Sequence, residues 1–260
     1  MIDDLRLAGE LVHEAAQLAA RMLAGGLETR HKTSVSDVVS AADHAAEELV
    51  VTRLRQDRPD DRIVGEEGAA VDGVGDRTWF IDPVDGTYNF LAGLPYWCSA
   101  VALAERTPTG WRPVLGAVYH PHADELWLGG DGVTTSCNGI VLDPLPEVSL
   151  DQLSLASYLH PATLPDADVR QPLLAAMSGA ATVRMLGSGS VELAAVAAGR
   201  LGCWLQRDAP EWDWLPGAAL VLGAGGAAEV LEHRGHRWHL AGNARAVAEL
   251  TGRLVEDHVR

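Results

Sequence analysis

The stretch from Trp79 to Phe90 restricts the fold more than any other part of the chain. Trp79, Phe80 and Ile81 form an apolar run that reads as a strand, and it ends in Asp82-Pro83-Val84-Asp85-Gly86-Thr87. Pro83 sets a turn, and Gly86 permits a close backbone approach. The fold therefore has to place two carboxylates, three residues apart, on a rigid turn at the end of a strand. Such a pair can converge on one hard cation. Oxygen-only ligands suit Mg2+, which binds through a few carboxylates together with substrate phosphate. The Gly86-Thr87 amides then start a helix, and a helix N-terminus is an anion site. The same dipeptides, met alone, also make an ordinary tight turn, so the weight falls on what else the chain brings to that place.

Three further features bear on it. Gly65-Glu66-Glu67-Gly68 follows a short strand at 62–64 and can carry another carboxylate to the same sheet edge. Glu211-Trp212-Asp213-Trp214 precedes an apolar helical pattern at Leu215, Ala218, Ala219 and Val221, which places Asp213 as an N-cap or as a metal ligand. The chain uses Arg 19 times and Lys once; that lysine, Lys32, lies in a polar loop with Asp37 and Asp43 downstream.

The periodicity around these motifs alternates between helix and strand. Residues 4–24 carry a 3.6-residue apolar stripe ended by Gly25-Gly26, and 41–56 read as a second helix capped by Ser40. Strands are expected at 62–64 and 77–81, then an antiparallel meander at 97–105, 113–120 and 125–129. Prolines cluster after residue 143, which suggests a subdomain change, with one unit over 1–146 and another over 147–260. In the second unit strands at 153–158, 182–186, 201–205 and 227–231 alternate with helices at 168–178, 189–199, 213–224 and 242–255. The run Glu192 to Ala198 reads as ordinary core packing, and His233 to His239 as a basic hairpin.

Charge and cysteine usage narrow the function classes. The formal net charge is −16 over 260 residues, which argues against nucleic acid and against anionic membrane as partners. Cys98, Cys137 and Cys203 are odd in number and widely spaced, so neither a disulfide framework nor a cysteine zinc site is expected, and a cytoplasmic protein fits. No basic leader precedes an apolar run, and no apolar stretch reaches membrane-spanning length.

Taken in order, Lys32…Asp37…Asp43, Gly65-Glu66-Glu67, Asp82-Pro83-Val84-Asp85-Gly86-Thr87, Cys137-Asn138-Gly139, Gly187-Ser188-Gly189-Ser190 and Trp212-Asp213 resemble the inositol monophosphatase family, in the superfamily that includes fructose-1,6-bisphosphatase. The resemblance covers nearly the whole chain. It implies an α+β fold of layered α/β type, a five-layer α-β-α-β-α sandwich, and Mg2+-dependent hydrolysis of a small phosphate ester by metal-activated water, with two or three ions per site. By the same resemblance Glu66, Asp82, Asp85, Asp213 and the Val84 carbonyl hold metal. Thr87, supported by Asp43 and Glu66, orients the attacking water. Asp85, Gly86, Thr87, Gly187, Ser188, Gly189, Gln206 and Asp213 meet the substrate, and Lys32 lies on a mobile loop. A homodimer and lithium sensitivity are implied in the same way.

Some positions depart from the family pattern. Seven residues before Asp213, where the family has a glutamate for substrate hydroxyls, stands Gln206. Trp214 and Pro216 replace small residues, so Trp214, with Trp204, is a candidate to line and reshape the pocket. Gly68 stands where the family often has Ser. An inositol or sugar monophosphate, histidinol phosphate and a 3′(2′),5′-bisphosphate nucleotide are the candidate substrates. A non-catalytic relative that binds metal or ligand is the rival from another class.

Overall fold

The apolar stripe of residues 4–24 becomes α1 (Ile2–Gly25), which buries Leu7, Ala8, Leu11, Val12, Ala15, Ala16 and Ala19 along one face. The computed structural model describes residues 2–25, 29–31 and 38–256. Lys32 and Asp37 lie outside the described residues, as does the expected cap by the Ser40 side chain. After α1 come a short antiparallel pair, β1 (Thr29–His31) and β2 (Val38–Ser40), and then α2 (Ala41–Asp57).

An eight-stranded sheet follows. It contains β3 (Arg62–Gly65), β4 (Ala70–Val71), β5 (Arg77–Asp85), β6 (Cys98–Thr107), β7 (Gly110–His120), β8 (Glu125–Gly130), β9 (Val133–Cys137) and β10 (Ile140–Val141), with the helical turn α3 (Thr87–Leu91) after β5. Its strand order is β10-β9-β8-β7-β6-β5-β3-β4. The expected meander is there, and it continues through β9 and β10, which were too short and polar to stand out. Only β3 and β5 run parallel in this sheet, with Gly65 beside Ile81. That pairing brings the end of β3, and with it Glu66, level with Asp82.

The second sheet has five strands, ordered β12-β11-β13-β15-β14. They are β11 (Ser154–Ser157), β12 (Thr182–Arg184), β13 (Cys203–Arg207), β14 (Ala227–His233) and β15 (His236–Gly242). The basic hairpin is β14 turning into β15 through Arg234 and Gly235, both at positive φ (51° and 77°), as a tight two-residue hairpin turn requires. β15 occupies the residues up to Gly242, so the last helix, α7 (Ala244–Val255), starts two residues later than expected, capped by the Asn243 side chain.

Three apolar clusters show how the layers stack. The first joins α1 and α2 to one face of the large sheet through Leu11, Val50, Leu54, Trp79, Ile81 and Leu103. The second lies between the sheets and is filled by α5 (Gly189–Ala197) and α6 (Glu211–Gly223), with Phe80, Ala102, Val118, Leu193, Trp204 and Leu220. The third packs α4 (Ala167–Met177) and α7 on the outer face of the small sheet around Leu155, Leu205, Trp238 and Leu250. The fold is therefore the α-β-α-β-α sandwich. Phe80 and Ile81 point to opposite faces of β5, so a strand buried on both faces reads as a continuous apolar run.

α6 begins at Glu211, so Pro216 sits inside the helix rather than in its first turn. It removes one backbone donor, and a side chain at Gly116 on β7 would come within 2.1 Å of the Pro216 carbonyl. Helix and sheet touch there backbone to backbone. Among the described residues no helix is long and apolar enough to cross a membrane.

Candidate functional site

Everything predicted around Asp82 depends on how β5 ends. Asp82 pairs with Ala100 and Asp85 with Cys98, so β5 carries one extra residue at the Pro83-Val84 step. This bulge bends the strand and re-aims both carboxylates. The Ser99 hydroxyl donates to the Pro83 carbonyl at 2.5 Å and holds the bulge from the neighbouring strand. Gly86 follows at φ 92°, ψ 37°, and α3 starts at Thr87 as expected. The Thr87 hydroxyl donates to the Val84 carbonyl at 3.0 Å, which leaves that oxygen a second lone pair.

A side chain at Gly86 would also meet the Gly187 carbonyl at 2.9 Å and the Tyr96 carbonyl at 3.1 Å. Gly86 is therefore a point of close backbone approach between the end of β5 and the loop before α5. Gly86→Ala is expected to cost roughly 1–2 kcal/mol from the left-handed backbone alone. A melting curve checks this, and an unchanged melting temperature would refute the strain at this position.

A cavity of about 500 Å³ opens at this junction, lined by Glu66, Glu67, Asp85, Gly86, Thr87, Tyr88, Asn89, Tyr158, Gly187, Ser188, Gly189, Glu192, Gln206 and Asp213. Of the predicted residues, Glu66, Asp85, Gly86, Thr87, Gly187, Ser188, Gly189, Gln206 and Asp213 thus face one space. Asp82 is buried just behind it, with Oδ1 lacking a hydrogen-bond partner. Val84 is buried beside it at the bulge, and Asp43 is wholly buried in the first turn of α2; neither lines the cavity.

The carboxylates act on one another. Burial, and then the charges of Glu66, Asp85 and Asp213, push Asp82 well above the usual carboxylate range. Burial, then Asp85 and Glu66, do the same to Asp213. Burial also raises Asp85, against hydrogen bonds from the α5 amides of Ser190 and Gly189. Among the described residues no group of three or more His, Cys, Asp and Glu side chains is placed so that it could hold a metal ion. Instead, several hard oxygen donors share one unbalanced negative charge, and a buried Asp82 oxygen lacks a donor. That combination suits a hard divalent cation.

Two residues that sequence reasoning passed over have roles here. Asn89 donates from Nδ2 to the Tyr96 and Leu186 carbonyls, both at 2.8 Å, and so ties α3 to the loop before α5. Glu192 is no ordinary core residue: it is 2% exposed, and its carboxylate takes the Leu186 amide at 2.8 Å and the Trp204 indole at 2.9 Å. Burial pushes it up to about 7. A carboxylate within an alanine-rich helix was the available signal.

Trp214 and Trp204 do not line the cavity. The helical turn that points Asp213 at the site carries Trp214 round into the core between the sheets, where it stacks on Trp204 with ring centres 5.7 Å apart. Gln206 does face the cavity, and it also borders a second cleft of about 200 Å³ with Tyr158, Leu159, Arg207 and Trp238. Gly68 has φ 106°, a conformation in which Ser would be strained.

Known proteins share the sequence pattern and the fold of this chain. The model of the Inositol monophosphatase family matches residues 3–259. Inositol monophosphatase 3 of Solanum lycopersicum is 30% identical over 258 residues, covering 95% of this chain and 93% of that protein. A histidinol-phosphatase of Streptomyces coelicolor is 42% identical over 127 residues, covering 48% of this chain and 47% of its own. The crystal structure of extragenic suppressor protein suhB from Bartonella henselae superposes with a TM-score of 0.86 at 25% identity, covering 98% and 99% of the two chains.

Proposed function

The chain belongs to the inositol monophosphatase family of phosphoric monoester hydrolases, and on that footing we propose that it is a Mg2+-dependent phosphatase of a small phosphorylated metabolite. The observation that carries this is the junction of buried carboxylates and glycine-lined backbone around one cavity of about 500 Å³. In this reading residues 1–146 supply Glu66, Asp82, the Val84 carbonyl and Asp85, and residues 147–260 complete the site with Asp213. Mg2+ held there, as two or three ions, supplies charge neutralisation for the phosphate and lowers the pKa of a water.

The remaining roles belong to the protein. Gly86 and Thr87, with Gly187, Ser188 and Gly189, shape the phosphate side of the cavity. Thr87, held through its hydroxyl by the Val84 carbonyl, fixes the direction from which water approaches, with Glu66 beside it and Asp43 behind. Gln206 and Tyr158 border the far side and meet the alcohol half of the ester. An amide at 206 carries no charge, so it lacks the charge-assisted bonds that a carboxylate would accept from the hydroxyls of a polyol.

The test is phosphate release from inositol phosphates, sugar phosphates, histidinol phosphate and 3′(2′),5′-bisphosphate nucleotides, with and without Mg2+, with Asp85→Asn as control. Activity on none of them in protein that binds Mg2+ would favour a binding-only relative. Histidinol phosphate is the favoured second reading, because the Streptomyces coelicolor histidinol-phosphatase shares 42% identity over 127 residues. Gln206→Glu is expected to move the substrate ranking toward polyol phosphates by roughly tenfold or more. An unchanged ranking would remove residue 206 from specificity.

A further inference from the structure

We infer that Glu47 and Glu192 are positioning residues, two buried carboxylates that lock from behind the loops presenting Glu66 and Gly187 to Gly189. The inference rests on the phosphatase reading of the cavity and adds to it the parts that hold the cavity in shape.

Glu47 lies on α2 and is 5% exposed. Its Oε2 accepts the Glu67 amide at 2.8 Å and its Oε1 the Ala69 amide at 2.9 Å. Both oxygens therefore grip the turn that leaves β3. The turn is closed on its other side by the Gly65 amide donating to the Ala69 carbonyl at 2.8 Å. A side chain on Gly65 would come within 2.2 Å of Glu47 Oε2, so the glycine makes room for the carboxylate. Glu66 sits inside this clamp. Its own amide is tied to the Ile81 carbonyl at 3.1 Å, one residue before Asp82, and the next amide is tied to Glu47. The backbone on both sides of Glu66 is thereby fixed.

Glu192 does the same for the other half. Oε1 accepts the amides of Leu186 at 2.8 Å and Gly187 at 3.3 Å, and Oε2 accepts the Trp204 indole at 2.9 Å. Asn89 holds the carbonyls of the same two residues. The loop is gripped by its donors from α5 and by its acceptors from α3. Each glutamate is the acceptor in all of these hydrogen bonds, so an isosteric Gln turns an N–H against an N–H at one of them, leaving a buried donor unsatisfied. Volume is kept and geometry is lost.

The two braces predict different kinetic signatures. Glu47→Gln acts on Glu66: Mg2+ binding by titration calorimetry weakens about 10–100-fold, as for loss of a group that orients a ligand, while KM at saturating Mg2+ changes less than about threefold. Glu192→Gln acts on the substrate loop: KM rises about tenfold or more, and Mg2+ affinity moves less than KM does. Adding Trp204→Phe to Glu192→Gln removes the donor that opposes the new amide, and KM returns most of the way. Parallel loss of melting temperature, kcat and metal affinity in both variants, with no such split and no rescue, would mean a general structural role and overturn the proposal.

A measurement on the unaltered protein covers the case of a variant that does not fold. Hydrogen exchange must show the Glu67, Ala69, Leu186 and Gly187 amides protected although all four lie outside helices and the sheet ladders. Fast exchange at all four refutes the braces. If the unaltered protein neither binds Mg2+ nor releases phosphate, the phosphatase reading fails instead, while the exchange result still decides the braces.

Discussion

Asp82→Asn is expected to lower kcat/KM by on the order of a thousandfold, beyond the roughly 10–100-fold typical of losing an outer partner, and at the same time to raise the melting temperature of the metal-free protein. The pairing of these two effects follows from the site. Asp82 is buried, with one oxygen lacking a donor, and is repelled by Glu66, Asp85 and Asp213. A neutral amide of the same size removes that repulsion and offers donors to the neighbouring carboxylates. In the proposed metal site it also removes a hard anionic ligand, so added Mg2+ should no longer stabilise the fold. Melting curves in chelator and in millimolar Mg2+, beside steady-state rates, give all three quantities. A variant that is less stable in chelator yet still gains stability from Mg2+ would show that Asp82 serves the core and not a cation.

Metal-free protein is expected to lose stability as pH rises past about 6.5, and Mg2+ is expected to reverse the loss. Asp82, Asp85 and Asp213 are raised above 3.8, and Glu192 is raised from 4.5 to about 7. A carboxyl whose native pKa is raised holds its proton more tightly in the folded state than in the unfolded chain. Stability then falls with rising pH until the native pKa is passed. The window has physical limits. Below 6.5, burial of His239, which lowers it to about 4, makes stability rise with pH and masks the trend. Approaching 9, the buried Cys98 and Cys203 thiols, raised above 9.0, add a fall of their own. Asp4, Asp208 and Glu249 are lowered, so their contribution is complete well below the window. Saturating Mg2+, at a hundredfold excess over its Kd, adds about 2.7 kcal/mol, worth roughly 5–10 °C in a chain of this size. A metal-free melting temperature that is flat across the window would contradict the charge cluster. The slope should also shrink in Asp82→Asn.

The two results together separate the roles of acid in this chain. Most of the charge of −16 is surface. A few carboxylates are instead held close together around one cavity, where their repulsion opposes folding unless a cation answers it. Glu47 and Glu192 form a third group, buried but answered by backbone and indole donors.

Local signals carried much of this. The apolar run into Asp82-Pro83-Val84-Asp85-Gly86-Thr87 marked the strand, the turn and the helix start, because proline and glycine act on their own φ angles and burial on both faces writes itself as an unbroken apolar run. Helix periods of 3.6 located α1, α2, α4, α5 and α6 within a few residues. The order of the acidic motifs was enough to show the resemblance. What stayed hidden depends on partners distant in the chain. The length of β5 through Pro83 needs Cys98 and Ala100 opposite it to define the bulge. Trp214 was placed in the pocket from its nearness to Asp213, yet adjacent residues on a helix point about 100° apart, and only the stack on Trp204 shows which way each one goes. Glu192 read as part of an ordinary core helix and Glu47 drew no reading at all, since a carboxylate that grips backbone amides leaves no pattern in the amino acids it grips.

The sequence by itself determined which residues bear charge, which strand ends in a rigid turn and where glycine lets backbones meet, because each of these is a property of one residue and its immediate neighbours. Only the tertiary structure decided which carboxylates share a cavity and which hold its walls. That choice is made by the parallel pairing of β3 with β5 and by the contact of Gly86 with Gly187, between residues 16 and 101 positions apart.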